Sequence, residues 1–293
     1  MYLSFEFDTL DHRETRRRDP AAAGSRPGKY LGMQWHTIDE GGATSLCIHM
    51  DEYIDGLKEK SLNIKGESDR PLDAEEVAQY RGLLAKARWP VNRVRPELGY
   101  GVSALAQLNT NKIGEVKGHH AKGVDKLVQR LKMLKNSGGA RLNLRKLNLE
   151  RLVCLTYFDA SFAQEEGMKS HCGMFSLLTD QDVVTQQVLG DLVEYESSTI
   201  RRVVRSTMAA ESAALLKSLD RQLYLRLMVE TFVYGQLELR DKDWRVSLRI
   251  PGTLVTDAKS FDDNLQTDGS LPAERQTLLD VLVAKALVEQ KCI

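Results

Sequence analysis

An α/β fold with a mixed sheet is the class this 293-residue sequence predicts, and three observations in its second half carry the prediction. Apolar and β-branched runs lie near 152–159, 171–179 and 192–205. A helical pattern of roughly 26 residues starts at Met208. A short strand-like run, Thr253-Leu254-Val255-Thr256, precedes a last helical pattern from about Ala273. Three strands, a helix, a strand and a helix is the alternation of an α/β unit.

The first half is built differently. Residues 1–27, with Arg16-Arg17-Arg18 and Ala21-Ala22-Ala23-Gly24, read as a polar, disordered segment. Order is expected from GKYLGMQWHTIDEGGATSLCIHM, two β-like runs around Glu40-Gly41-Gly42 that read as a hairpin. The helix DEYIDGLKEK follows. Asp73 is a candidate N-cap for AEEVAQYRGLLAKARW, in which Val77, Tyr80, Leu84 and Ala87 recur at helical spacing, and Pro90 is expected to end that helix. Residues 97–109 and 120–136 read as two more helices. Asn136-Ser137-Gly138-Gly139 is the expected linker between a first unit, 28–136, and a second, 150–293. Within the second, a short helix is expected from Lys259.

Composition bounds the function classes. Hydrophobic residues are 42% and charged ones 28%, a globular profile. No apolar run approaches the roughly 20 residues that span a bilayer, and the N-terminus lacks the apolar core of a signal peptide. The expectation is an intracellular protein, cytoplasmic or nuclear, with no membrane partner. Cys47, Cys154, Cys172 and Cys292 are too scattered for a zinc or redox motif, and Cys154 and Cys172 read as packing residues. His119 and His120 diverge by about 100° on a helix, so they read as part of a solvated, basic face rather than as paired metal ligands.

Charge is unevenly spread. From Lys112 to Arg151, eleven Lys or Arg face three acids, a local net of +8 in a chain whose total is zero. Such a stretch, with Lys122, Lys126, Arg130, Lys132 and Lys135 on one predicted helix, either neutralises nucleic-acid phosphates or forms an ordinary solvated face.

Four acids end or enter the elements of the second half. Asp159 closes LVCLTYF, Glu211 opens MAAESAALLKSLDRQLYLRLMVETF, Asp257 closes Thr253-Leu254-Val255-Thr256, and Asp280 lies in RQTLLDVLVAKALVE. Strand alternation groups Asp159 with Val153, Leu155 and Tyr157. Helical spacing puts Glu211 on a stripe with Leu215 and Leu219, and Asp280 on one with Val283, Ala284 and Leu287. Carboxylates in poorly solvated positions require a cation, hydrogen bonds or a raised pKa. Hard oxygen donors without His or Cys favour Mg²⁺ or Mn²⁺ over zinc. Two such ions, roughly 4 Å apart, would activate a water and stabilise the leaving oxygen of a phosphodiester.

These motifs carry a resemblance. FDAS at 158–161, RSTMAAESAAL at 205–215 and VTDAKSF at 255–261 resemble the ribonuclease H domain of copia-type retrotransposon polyproteins. Upstream, YRGLLAKARWPVNRVRPELGYGVSALAQ resembles the connecting segment of that family, and GKYLGMQW with CIHMDEYIDGLK is similar to the end of its reverse transcriptase palm. The resemblance implies a ribonuclease H-like mixed sheet with packed helices, preceded by a hairpin-plus-helical reverse transcriptase remnant. It also implies Asp159, Glu211, Asp257 and Asp280 as catalytic metal ligands, and cleavage of the RNA strand of an RNA–DNA hybrid. The family's polymerase region, upstream in the same polyprotein, would be a partner. Two departures stand out: no Tyr/Phe-x-Asp-Asp polymerase motif is in this chain, and the resemblance implies a further strand and helix beyond Ile293. A catalytically inactive remnant that binds nucleic acid or only folds is the competing reading, and an integrase-like strand transferase is a third.

Overall fold

The computed structural model describes residues 28–40, 43–57, 62, 64, 66–112, 114–137, 141–165, 168–182, 188–235, 244, 247–259, 263 and 274–289. The expected disordered segment 1–27, the turn glycines Gly41 and Gly42, Cys292 and the body of the short helix after Lys259 lie outside them. The chain is mixed α/β, with two sheets and six helices among the described residues, and divides into two units between Lys146 and Leu147.

In the first unit, β1 (Gly28–Tyr30), β2 (Met33–Glu40), β3 (Ala43–His49) and β4 (Leu142–Arg145) form an antiparallel sheet in that order. The predicted hairpin is present, with Trp35 opposite Ile48 and Glu40 opposite Ala43. β4 has no counterpart in the sequence reading, because LNLR is too short to show a strand period. It pairs Leu144 with Leu46 and so carries the first unit past the expected Asn136–Gly139 linker. Four helices, α1 (Asp51–Gly56), α2 (Ala74–Val94), α3 (Gly99–Ala106) and α4 (Gly118–Asn136), build a core around Met50, Tyr80, Val91, Val124 and Leu131.

Helix α2 begins as expected. The Asp73 carboxylate accepts the Glu76 N–H at 2.8 Å and Glu76 accepts the Asp73 N–H at 3.0 Å, a reciprocal cap. Its end differs, because Pro90 lies inside the helix, which runs on to Val94. A proline leaves the carbonyl four residues earlier without its donor. Here the Tyr53 hydroxyl donates to the Lys86 carbonyl at 3.2 Å, and Pro90, Val91 and Val94 are buried in the core. The lost bond is replaced and the extra turn buries apolar surface.

In the second unit, β5 (Val153–Glu165), β6 (Lys169–Thr179), β7 (Asp191–Thr199) and β8 (Gly252–Val255) form a sheet in the order β7-β6-β5-β8. β5 is antiparallel to β6 and parallel to β8, which makes the sheet mixed. The strand expected over 192–205 stops at Thr199. Helix α5 (Thr207–Tyr234) starts where the Ser206 hydroxyl accepts the Ala209 N–H at 3.1 Å and stops at Gly235, whose φ of +93° suits a residue without Cβ. The last helix, α6 (Arg275–Glu289), packs with α5 over Phe158, Cys172 and Met174 through Val281, Ala284, Ala214 and Leu215. Cys154 and Cys172 are buried packing residues, as read from the sequence. No helix among the described residues is long and apolar enough to cross a membrane.

Candidate functional site

The parallel pairing of β5 with β8 fixes where two of the acids stand. Tyr157 is matched with Val255, the last pair of the ladder, and Asp159 and Asp257 each follow two residues further along their chains. Both are exposed. Immediately beyond Asp159 the β5–β6 register slips between Ser161 and Glu165, and Ala163 takes a left-handed φ of +52°. Such a bulge bends its strand where regular pairing would otherwise continue.

Glu211 reaches the same place from α5. The predicted stripe is there: Glu211, Leu215 and Leu219 are all buried, and Glu211 is only 6% exposed. Its Oε2 has no hydrogen-bond partner. Burial, then the charges of Asp159 and Asp257, push the Glu211 carboxyl up to about 7, against a smaller opposing effect of the Ala160 N–H. Partial desolvation of the exposed Asp159 carboxyl by the surrounding chain, then the Asp257 charge, likewise raise it, against a smaller opposing effect of the Ala160 N–H. The three carboxylates therefore sense one another electrostatically. They are not closed into a ligand cage: among the described residues, no group of three His, Cys, Asp or Glu stands ready to hold an ion.

Asp280 makes its contacts elsewhere. It is 3% exposed, forms an ion pair with Arg202, and accepts a hydrogen bond from Gln276 Nε2 at 3.1 Å. The following residue, Val281, packs in the cluster that includes Ala160, Met208 and Ala258, which lie next to Asp159, one turn before Glu211 and next to Asp257. Asp280 thus belongs to the same end of the sheet but is already paired.

Sequence reading missed the residues that hold this framework. Ser218, Gln222, Arg226 and Glu230, spaced by four, form a second buried stripe on α5. Gln222 Nε2 donates to the Thr253 carbonyl at 2.9 Å and Arg226 Nε to that of Ile250 at 2.8 Å. The Glu230 carboxylate accepts the N–H groups of Arg249 at 2.9 Å and Ile250 at 3.1 Å. A Cβ on Gly252 would come within 2.6 Å of Gln222 Oε1, so the glycine permits this approach. The stripe hydrogen-bonds the backbone of β8 and of the residues leading into it, and β8 carries Asp257 at its end. The i, i+4 spacing of polar residues inside an otherwise apolar helix was the available signal.

In the first unit, Lys122, Lys126 and Arg130 are exposed and follow one another by four along α4. Lys122 donates to Ser68 Oγ at 2.6 Å. Lys132 is off this row, and Lys135 forms an ion pair with Asp55. His120 Nδ1 accepts the Lys117 N–H at 3.0 Å at the start of α4.

Glu211 Oε2, buried beside two further carboxylates and lacking a donor, is the feature a hard divalent cation would satisfy, and an all-oxygen donor set suits Mg²⁺ or Mn²⁺. Comparison with protein-family models, curated proteins and solved structures finds no match to this chain.

Proposed function

We propose that the second unit is a ribonuclease H-like, metal-dependent nuclease domain that cuts the RNA strand of RNA–DNA hybrids, within a copia-type retroelement polyprotein. The observation that carries the reading is the buried Glu211 carboxylate, whose Oε2 has no hydrogen-bond partner and which burial, then the charges of Asp159 and Asp257, push up to about 7. Support also comes from a sheet in which, among the described residues, the strand bearing Asp159 is internal and pairs in parallel with the strand leading to Asp257. Asp159 and Asp257, both exposed, would contact the cation from the solvent side, and Glu211 from the protein side. When bound, the divalent ion supplies Lewis acidity and an activated water for phosphodiester hydrolysis.

The test is cleavage of a labelled hybrid by the full chain in Mg²⁺ or Mn²⁺, with single-stranded RNA as control. The hybrid alone should be cut, and Asp159→Asn or Asp257→Asn should lower the rate by roughly 100-fold or more, the upper range for loss of a group that supports a metal. A folded chain that binds hybrid without cutting it in either metal would make it a non-catalytic remnant.

The Lys122, Lys126 and Arg130 row is proposed as a contact for the hybrid's phosphates. Replacing all three with Glu should weaken hybrid binding and flatten the plot of log affinity against log salt, since each phosphate contact contributes roughly 0.7–0.9 to the slope. An unchanged slope would make the row a solvated face. Lys135, paired with Asp55, is expected to matter less.

A further inference from the structure

The four acids do not stand alike, and the difference sets the number of ions. Glu211 is more than nine-tenths buried and leaves Oε2 without a donor, facing the charges of Asp159 and Asp257. Asp280 is buried as deeply, yet both its oxygens are engaged: Oδ2 by the Arg202 guanidinium and Oδ1 by Gln276. A buried carboxylate already neutralised by a guanidinium gains little from a cation, and drawing it away would leave the guanidinium's charge without its partner. Arg202 keeps 34% of its side chain exposed, against 4% for Asp280.

We infer that this is a one-ion centre, in which Asp159, Glu211 and Asp257 take a single divalent cation and Arg202, fixed on Asp280, supplies the positive charge a second ion would bring. The inference rests on the metal-dependent reading above and departs from the pair of ions expected from the sequence. Val281, next to Asp280, and Ile200, two residues before Arg202, both pack in the cluster containing Ala160, Met208 and Ala258, the neighbours of the other three acids. A guanidinium there offers N–H donors to a phosphate oxygen, a role that an ion bound by Asp280 would otherwise fill. Arg202 is in this sense a positioning and charge-balancing residue, and Asp280 serves to hold it.

The experiment is a titration of the full chain with Mn²⁺ alone, bound and free ion being separated by electron paramagnetic resonance. The parent chain should take about one equivalent, as expected for a single-ion rather than a two-ion site. Asp280→Asn, which leaves the three free acids intact, should also take one, and so should Arg202→Lys, which keeps the charge. Arg202→Gln should admit a second ion by releasing the Asp280 carboxylate. Two equivalents in the parent, or loss of the ion in Asp280→Asn, would overturn the one-ion assignment while leaving the metal-dependent reading in place. No binding by the folded parent would overturn both.

Discussion

Replacing Glu211 with Gln should stabilise the second unit at about pH 8 by roughly 3 kcal/mol while removing metal-dependent cleavage. The folded-state carboxyl titrates near 7, above its ordinary value of 4.5. The folded state thus holds a proton that the unfolded chain has already lost between those two values. Stability from this group is therefore complete below about 4.5 and is lost as pH rises through 7. Glutamine has no proton to lose, so the variant should keep at pH 8 what the parent loses. Urea unfolding at about pH 4 and pH 8 reads this directly, and an identical pH dependence in parent and variant would contradict it. Saturating Mg²⁺ should recover much of the difference in the parent, because an ion that binds only the folded state stabilises it.

Glu230→Ala should be the most damaging change away from the acids, costing about 3–5 kcal/mol. The carboxylate is fully buried and accepts two backbone N–H groups at the entry to β8. Truncation leaves both donors without a partner and opens space in the core. Because β8 leads to Asp257, any variant that still folds should also bind Mn²⁺ more weakly than the parent. Thermal melting and Mn²⁺ titration measure the two effects. A melting temperature within a degree or two of the parent's would show that β8 does not depend on the stripe.

Much of this architecture is legible in residue spacing, and the exceptions have physical reasons. The Glu211-Leu215-Leu219 stripe is readable because a four-residue repeat has one geometric meaning on a helix. The meeting of Asp159 with Asp257 follows once their strands are parallel neighbours, but pairing across nearly one hundred positions is not itself written in either strand's sequence. Arg202 is illegible for a related reason: it lies in irregular chain after β7, and its partner Asp280 is brought to it only by the packing of α6 on α5. The polar stripe of α5 has the right spacing to be noticed, but spacing alone does not tell a buried polar row from a solvated one. Its burial becomes intelligible only with the backbone groups of residues 249–253 opposite it. Pro90 shows that a local rule yields when a distant residue, Tyr53, supplies the missing donor.

The proposed metal site at Asp159, Glu211 and Asp257 is tested most directly by the titration of Glu211 itself, followed by carbon-13 NMR with and without Mg²⁺. Without the ion the midpoint should lie near 7, set by burial and by the charges of Asp159 and Asp257. With saturating Mg²⁺ it should fall below the ordinary 4.5, since a bound cation favours the charged form. A midpoint that is the same in both conditions would contradict a metal site at these residues.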